Sequence, residues 1–217
     1  MLYWIIWLLV VPGIFLFLPT RVIGRKYYKT TKKKATIFAA NHQSLNDSIV
    51  LKARVNPNFK LMAKSDLFKS KFANWFLRLL GAYPVNRGGN DIAAVKTTLT
   101  HLKNNKHLVI FPEGTRGSTG DMNALKDGVA TFALKSDCYI VPAIFKKKPK
   151  VFSFNTLLIG KPFKFSDYDD FKDVKINKEL VQKASEILSE KLKFLKEITP
   201  KEYKRLIKLE KKETKNQ

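Results

Sequence analysis

The sequence predicts an α/β fold, a mixed sheet flanked by helices, with an apolar helical segment at its N-terminus that anchors the chain to a membrane. Three observations carry that expectation. From residue 35 onward, short apolar runs alternate with stretches of helical periodicity. Hydrophobic residues make up 45% of the 217 and aromatics 12%, enough for one substantial core. Residues 1–19, MLYWIIWLLVVPGIFLFLP, carry no charged side chain.

A straight helix over that first segment would span roughly 28 Å, about one hydrocarbon thickness, although Pro12-Gly13 should bend or break it. It lacks the positive n-region and the small-residue cleavage site of a signal peptide. The next stretch, RVIGRKYYKTTKKK (21–34), has seven positive charges and no negative one. Positive charge behind an apolar segment holds that side in the cytoplasm and attracts anionic lipid headgroups. Trp4, Trp7, Tyr27 and Tyr28 have rings suited to the interface. The expectation is a monotopic or single-span anchor over 1–34 at the cytoplasmic face of a membrane. A main domain over 35–200 and a charged tail over 201–217 follow.

Within the main domain, Ala35–Ala40 reads as a strand that ends in the polar cluster Asn41-His42-Gln43-Ser44. A helix over 46–54 and a strand over 59–63 come next. Residues 66–80 place Phe72, Trp75, Phe76, Leu79 and Leu80 on one helical face, suited equally to a core, an acyl groove or a bilayer. Tyr83–Val85 reads as a short strand and Asp91–Leu102 as a helix capped by Asn90. His107–Phe111 is a strongly apolar strand, 122–135 a helix and Tyr139–Phe145 another strand. Val151–Phe154 and Thr156–Ile159 read as strands near a sheet edge, 177–198 as a helix, and 201–217 as a frayed helix or tail.

Lys plus Arg is 41 against 18 acidic residues, a net charge of +23. Four successive blocks (1–50, 51–100, 101–150, 151–217) carry +6, +7, +5 and +5, so there is no discrete basic arm. Lys outnumbers Arg 34 to 7, whereas base reading and bidentate phosphate contacts favour Arg. With no helix-turn-helix or RNP-type signature either, nucleic acid is not an expected partner. One cysteine, Cys138, excludes an intrachain disulfide and any multi-cysteine metal site.

Three clusters carry the chemistry. His42 follows directly on a strand, with Asp47 five residues later. On a continuous helix their side chains would lie about 140° apart. If a turn intervenes, the carboxylate can fold back onto Nδ1–H and leave Nε2 free to accept a proton. By itself such a pair is more often structural than catalytic. Phe111-Pro112-Glu113-Gly114-Thr115-Arg116 begins where an apolar strand ends, the usual ligand-binding edge of an α/β sheet. There Gly114 permits close backbone approach and Arg116 offers a planar fork to phosphate. Gly81–Arg87 is a third strand end, and it carries another of the rare arginines.

Taken together, these clusters resemble the lysophospholipid acyltransferase family. Asn41-His42-Gln43-Ser44-Leu45-Asn46-Asp47 matches its first motif, Gly81–Arg87 the second, Phe111–Arg116 the third and Ile140–Ile144 the less specific fourth. Lys64 and Lys126-Asp127-Gly128 also look like family positions. The resemblance covers about residues 35–145, in order. It implies a glycerol-3-phosphate acyltransferase-like fold and acyl transfer from a thioester, acyl-ACP or acyl-CoA, to the sn-2 hydroxyl of 1-acylglycerol-3-phosphate (lysophosphatidic acid), giving phosphatidic acid. His42 would be the base, oriented by Asp47. Lys64, Arg87 and Arg116 would bind the glycerol phosphate, with Glu113 and Gly114 shaping the pocket. No cofactor and no metal is implied. The alternatives are another lysophospholipid acceptor, or a membrane-attached lipid- or nucleic-acid-binding protein without catalysis.

Overall fold

The computed structural model describes residues 11–86, 91–114 and 125–213. Among the described residues seven strands form one sheet: β1 (Thr20–Ile23), β2 (Thr36–Ala40), β3 (Lys60–Lys64), β4 (Ala82–Val85), β5 (His107–Ile110), β6 (Tyr139–Phe145) and β7 (Asn155–Ile159). Their spatial order is β1-β7-β6-β2-β5-β3-β4. Five strands, β6 to β4, run parallel, and β7 lies antiparallel to β6 and carries β1 beside it in parallel. The sheet is therefore mixed, as expected.

The helices are α1 (11–17), α2 (Arg25–Lys29), α3 (Leu45–Arg54), α4 (Lys71–Leu79), α5 (Ile92–Lys103), α6 (Gly128–Ser136), α7 (Lys178–Glu197) and α8 (Pro200–Glu213). They cover both faces, which is why the central strands read as unbroken apolar runs. Ile37, Ala39, Leu108, Ile110 and Ile140 pack against Leu102 of α5, Val129 and Ala133 of α6, and Ala184, Leu188 and Leu192 of α7. The alternate residues Phe38, Ala40, Val109, Val141 and Ala143 pack against Val50 and Leu51 of α3, Ile14 of α1 and Tyr28 of α2. The two-residue period of the strands divides one apolar run between two cores.

Several expectations are corrected. Among the described residues no helix is long and apolar enough to cross a membrane, so the structure lends the N-terminal anchor no support. Trp4 and Trp7 lie outside the described residues. The chain is helical from 11 to 17, through Pro12 and Gly13. The basic stretch 21–34 holds most of β1 and all of α2, and Tyr27 and Tyr28 are buried in the two cores rather than displayed at an interface. The reading of 66–80 as one helix gives way to a 3-10 turn over Ser65–Phe68 and then α4. Helix α5 is capped by Asp91, whose side chain accepts from the Ala94 N–H at 2.9 Å; Asn90, the expected cap, lies outside the described residues. Residues 151–154 form no strand: Phe152 has φ +57°, which breaks an extended run. Pro200–Glu213 is a helix docked by buried Tyr203, whose hydroxyl donates to the Ile159 carbonyl at 2.7 Å.

Candidate active site

Strand register assembles the site. Thr36–Ala39 of β2 pair with His107–Ile110 of β5. Two segments 71 residues apart thus leave the sheet side by side at its C-terminal edge, and the His42 N–H donates to Glu113 Oε1 at 3.4 Å. On the other side, Asn41 ends the pairing of β2 with β6. Its side chain takes the place of backbone, donating to the Phe145 carbonyl at 3.1 Å and accepting from the Phe145 N–H at 2.8 Å. The main chain of β2 is thereby free to turn immediately before His42.

The turn is closed by α3. Ser44 is its N-cap residue and Asp47 its third helical position, the spacing of a capping box. Asp47 Oδ2 accepts from the Ser44 N–H at 2.7 Å and the Gln43 N–H at 2.6 Å, and Oδ1 accepts from the Ser44 hydroxyl at 3.2 Å. The same Oδ2 lies 2.8 Å from His42 Nδ1. Two backbone N–H groups already treat that oxygen as an acceptor, so Nδ1 carries the proton and Nε2 of the neutral ring holds the free lone pair. Asp47 is fully buried. The imidazole also stacks on Phe111, with ring centroids 4.0 Å apart and planes 13° from parallel. A carboxylate and an aromatic face together fix its orientation.

Glu113 is half-buried, and burial raises its carboxyl above the ordinary range against the opposing pull of the His42 N–H. Gly114 follows with φ +70°. A Cβ there would come within 2.6 Å of the Lys126 side chain, which can move; the left-handed backbone is the firmer reason for glycine. The Lys126 N–H donates to the Pro112 carbonyl at 2.8 Å, which ties the approach to α6 onto this turn. Beside His42 opens a cavity of about 200 Å³ with apolar walls from Met62, Val85, Val129 and Phe132, and with Lys126 on its lining. An apolar cavity bounded by an oriented imidazole and a cation suits an ester-forming reaction of an amphiphile.

A model of the Acyltransferase family matches residues 20–146. This chain belongs to the acyltransferase family. The acyltransferase is 30% identical over 169 residues to the 1-acyl-sn-glycerol-3-phosphate acyltransferase of Bacillus subtilis, covering 73% of this chain and 80% of that protein. It is 29% identical over 140 residues to the protein of that name in Streptococcus pneumoniae, covering 61% of this chain and 52% of the relative. The corresponding Saccharomyces cerevisiae protein is 33% identical over 132 residues, with 58% and 43% covered. The chain thus spans four fifths of the first relative and about half of the other two. Among solved structures, the 1-acyl-sn-glycerophosphate (LPA) acyltransferase PlsC from Thermotoga maritima is similar, with a TM-score of 0.63 and 26% identity. That match covers 85% of this chain and 75% of PlsC.

Of the residues singled out in the sequence, the acyltransferase brings His42, Asp47, Glu113 and Gly114 together. Lys64 sits on the same edge at the end of β3, but its exposed ammonium pairs with Asp66 and no contact with the His42 cluster is seen. Arg87 and Arg116 lie outside the described residues. Sequence reasoning assigned no role to Asn41 as the clamp or to Phe111 as the stacking face. Both lie inside the motifs, yet only the strand register shows what each one touches.

Proposed function

We propose that this acyltransferase moves a fatty acyl group from an acyl thioester to the sn-2 hydroxyl of a 1-acylglycerol-3-phosphate, releasing thiol and phosphatidic acid. The observation that carries the reading is the His42–Asp47 pair, with its Nδ1 proton committed to Asp47 and Nε2 free. An alcohol is a poor nucleophile at neutral pH. His42 Nε2 takes the hydroxyl proton as the oxygen attacks the thioester carbonyl carbon. The tetrahedral intermediate then collapses with cleavage of the C–S bond, and the imidazolium returns the proton to the departing sulfur. No covalent acyl-enzyme forms, and buried Cys138, whose thiol is pushed up to about 11 by burial, takes no part.

The names of the relatives support lysophosphatidic acid as acceptor. The rare arginines Arg87 and Arg116, with Lys64, are the proposed phosphate ligands, and Glu113 and Gly114 shape their pocket. The donor is acyl-ACP or acyl-CoA, and anionic membrane lipids supply the acceptor at the cytoplasmic face. The test is acyl transfer by the full chain in detergent from a labelled long-chain thioester, with 1-acylglycerol-3-phosphate and lysophosphatidylcholine offered in parallel. Labelled phosphatidic acid from wild type and none from His42→Ala is the expected outcome. Transfer to the choline lipid alone would move the acceptor, and equal rates in wild type and His42→Ala would remove the base.

A further inference from the structure

Many of the exposed apolar side chains gather at one edge of the sheet, while Val174 and Ile176 ahead of α7 and Leu206 and Leu209 of α8 lie on other segments. Leu45 and Ile49 belong to the start of α3, Phe72 and Trp75 to α4 just beyond the end of β3, and Ile92 to the start of α5 beyond the end of β4. Each of these segments leaves the C-terminal edge of the parallel strands, the edge that carries His42. Phe15 and Phe17 of α1 and Val151, Phe152 and Phe154 of the β6–β7 connection join them, because β1 and β7 start where β6 ends.

The β6–β7 connection is the most pronounced of these features. Its sequence from 146 to 154, KKKPKVFSF, contains four lysines and no acidic residue. Lys146 is turned inward, donating to the Ile198 carbonyl at 2.9 Å, while Lys147, Lys148 and Lys150 are exposed. Phe152 and Phe154 are 73% and 63% exposed. Phe152 holds a left-handed backbone at φ +57°, a conformation that bulky side chains rarely adopt and that is retained where surrounding contacts or function demand it. Here two contacts fix it: the Phe152 N–H donates to the Phe17 carbonyl at 2.7 Å, and the two rings meet edge-on at 5.2 Å. The loop is also tied to the site, since Asn46 Nδ2, next to Asp47 on α3, donates to the Pro149 carbonyl at 3.1 Å.

We infer that the 147–154 loop is a membrane-insertion element: Phe152 and Phe154 enter the acyl layer of an anionic bilayer, Lys147, Lys148 and Lys150 stay at headgroup level, and the Asn46–Pro149 bond holds His42 at that surface. Two exposed aromatics two positions apart in sequence, the first on a fixed backbone, match the acyl boundary, and three cations beside them match anionic headgroups. An acidic protein partner would account for the lysines and leave the outward phenylalanines without a partner. The inference deepens the acyl-transfer reading by naming the surface on which the acceptor is met, and it rests on that reading in this respect alone.

The test uses the full chain with Phe152→Cys carrying an environment-sensitive fluorophore, since the native thiol of Cys138 is buried and unreactive. The probe is vesicles of phosphatidylglycerol and phosphatidylcholine in equal parts, compared with phosphatidylcholine alone. A blue-shifted, brighter emission that is shielded from aqueous iodide on the anionic vesicles, and weaker on the neutral ones, is expected. The double variant Phe152→Ser/Phe154→Ser should lose on the order of tenfold or more in vesicle co-sedimentation. It should keep its rate with acceptor presented in detergent. A label that stays in water while the protein sediments with the vesicles overturns the inference. So does a label that responds only to an acidic carrier protein, or a chain that does not bind vesicles. Loss of transfer in detergent by the wild-type chain would instead count against the acyl-transfer reading, so the two failures are distinguishable.

Discussion

Asp47 performs two tasks with one side chain. As the third residue of α3 it receives the Ser44 N–H that a helix start leaves unpaired, and through the same oxygen it fixes the His42 tautomer. The two tasks can be separated by substitution. Asp47→Asn keeps the size and a carbonyl acceptor but loses the charge that stabilises an imidazolium. Its kcat should fall by roughly 10²–10⁴-fold, while urea unfolding moves by only about 1 kcal/mol. Asp47→Ala should show the same kinetic loss with a larger loss of stability, because the Gln43 and Ser44 N–H groups are then left without acceptors. A kcat for Asp47→Asn within twofold of wild type would confine Asp47 to capping.

One connection carries more of the architecture than its sequence suggests. Gly24, between β1 and α2, has φ +86°, and a Cβ there would lie 2.0 Å from the Ile159 carbonyl oxygen, which is backbone and cannot swing aside. Gly24→Ala should therefore destabilise the fold by about 3 kcal/mol or more. Gly13→Ala, inside a helix and meeting only the Phe17 ring, should be neutral or stabilising by up to about 1 kcal/mol. Denaturant titration of the two variants gives the comparison.

The N-terminus of β5 holds a second element-scale device. His107 Nε2 donates to the Lys32 carbonyl at 3.1 Å, so Nδ1 accepts from the Tyr28 hydroxyl at 2.7 Å, and Asn56 Nδ2 donates to that hydroxyl at 2.5 Å. Burial lowers the His107 pKa and pushes Tyr28 up to about 12. Because the folded pKa of His107 is depressed, the unfolded chain binds the proton first as pH falls. The stabilisation is complete above the ordinary histidine value of about 6.5 and is lost as pH drops through it toward the folded value. Unfolding midpoints should therefore fall between about pH 7.5 and about pH 5.5. The slope should be flatter in His107→Gln, though not flat, since burial and the charges of Lys60 and Lys106 lower His101 as well. A wild-type midpoint unchanged over that window would exclude the mechanism.

For the whole molecule, a charge of +23 without a discrete basic arm acts as a long-range field rather than as a set of contacts. Such a field steers an acidic donor and is screened by salt, with a Debye length of about 10 Å at 0.1 M. If the acyl group arrives on an acidic carrier protein, the donor KM should rise several-fold between about 50 and about 300 mM salt, with kcat nearly constant. Initial rates in detergent, where membrane binding is not in play, measure this directly. A KM independent of salt would leave the excess lysine without a role in donor capture.

The sequence by itself determined the α/β class, the positions of the five parallel strands and the residues of the His42–Asp47 and Glu113-Gly114 clusters. Apolar runs, their periodicity and motif order are local properties, so they survive in one dimension. Strand β1 and helix α2 were hidden because half of 21–34 is exposed lysine or arginine, while Ile23, Tyr27 and Tyr28 supply the buried contacts. The false strand over 151–154 had the opposite cause: apolar side chains that suggest a core face solvent on a loop with a left-handed residue. Only the tertiary structure set His42 beside Glu113, stacked it on Phe111 and used Asn41 to end a strand. Those relations depend on the register between β2, β5 and β6, which is settled by how two cores pack on opposite faces of one sheet and by no residue's own preference.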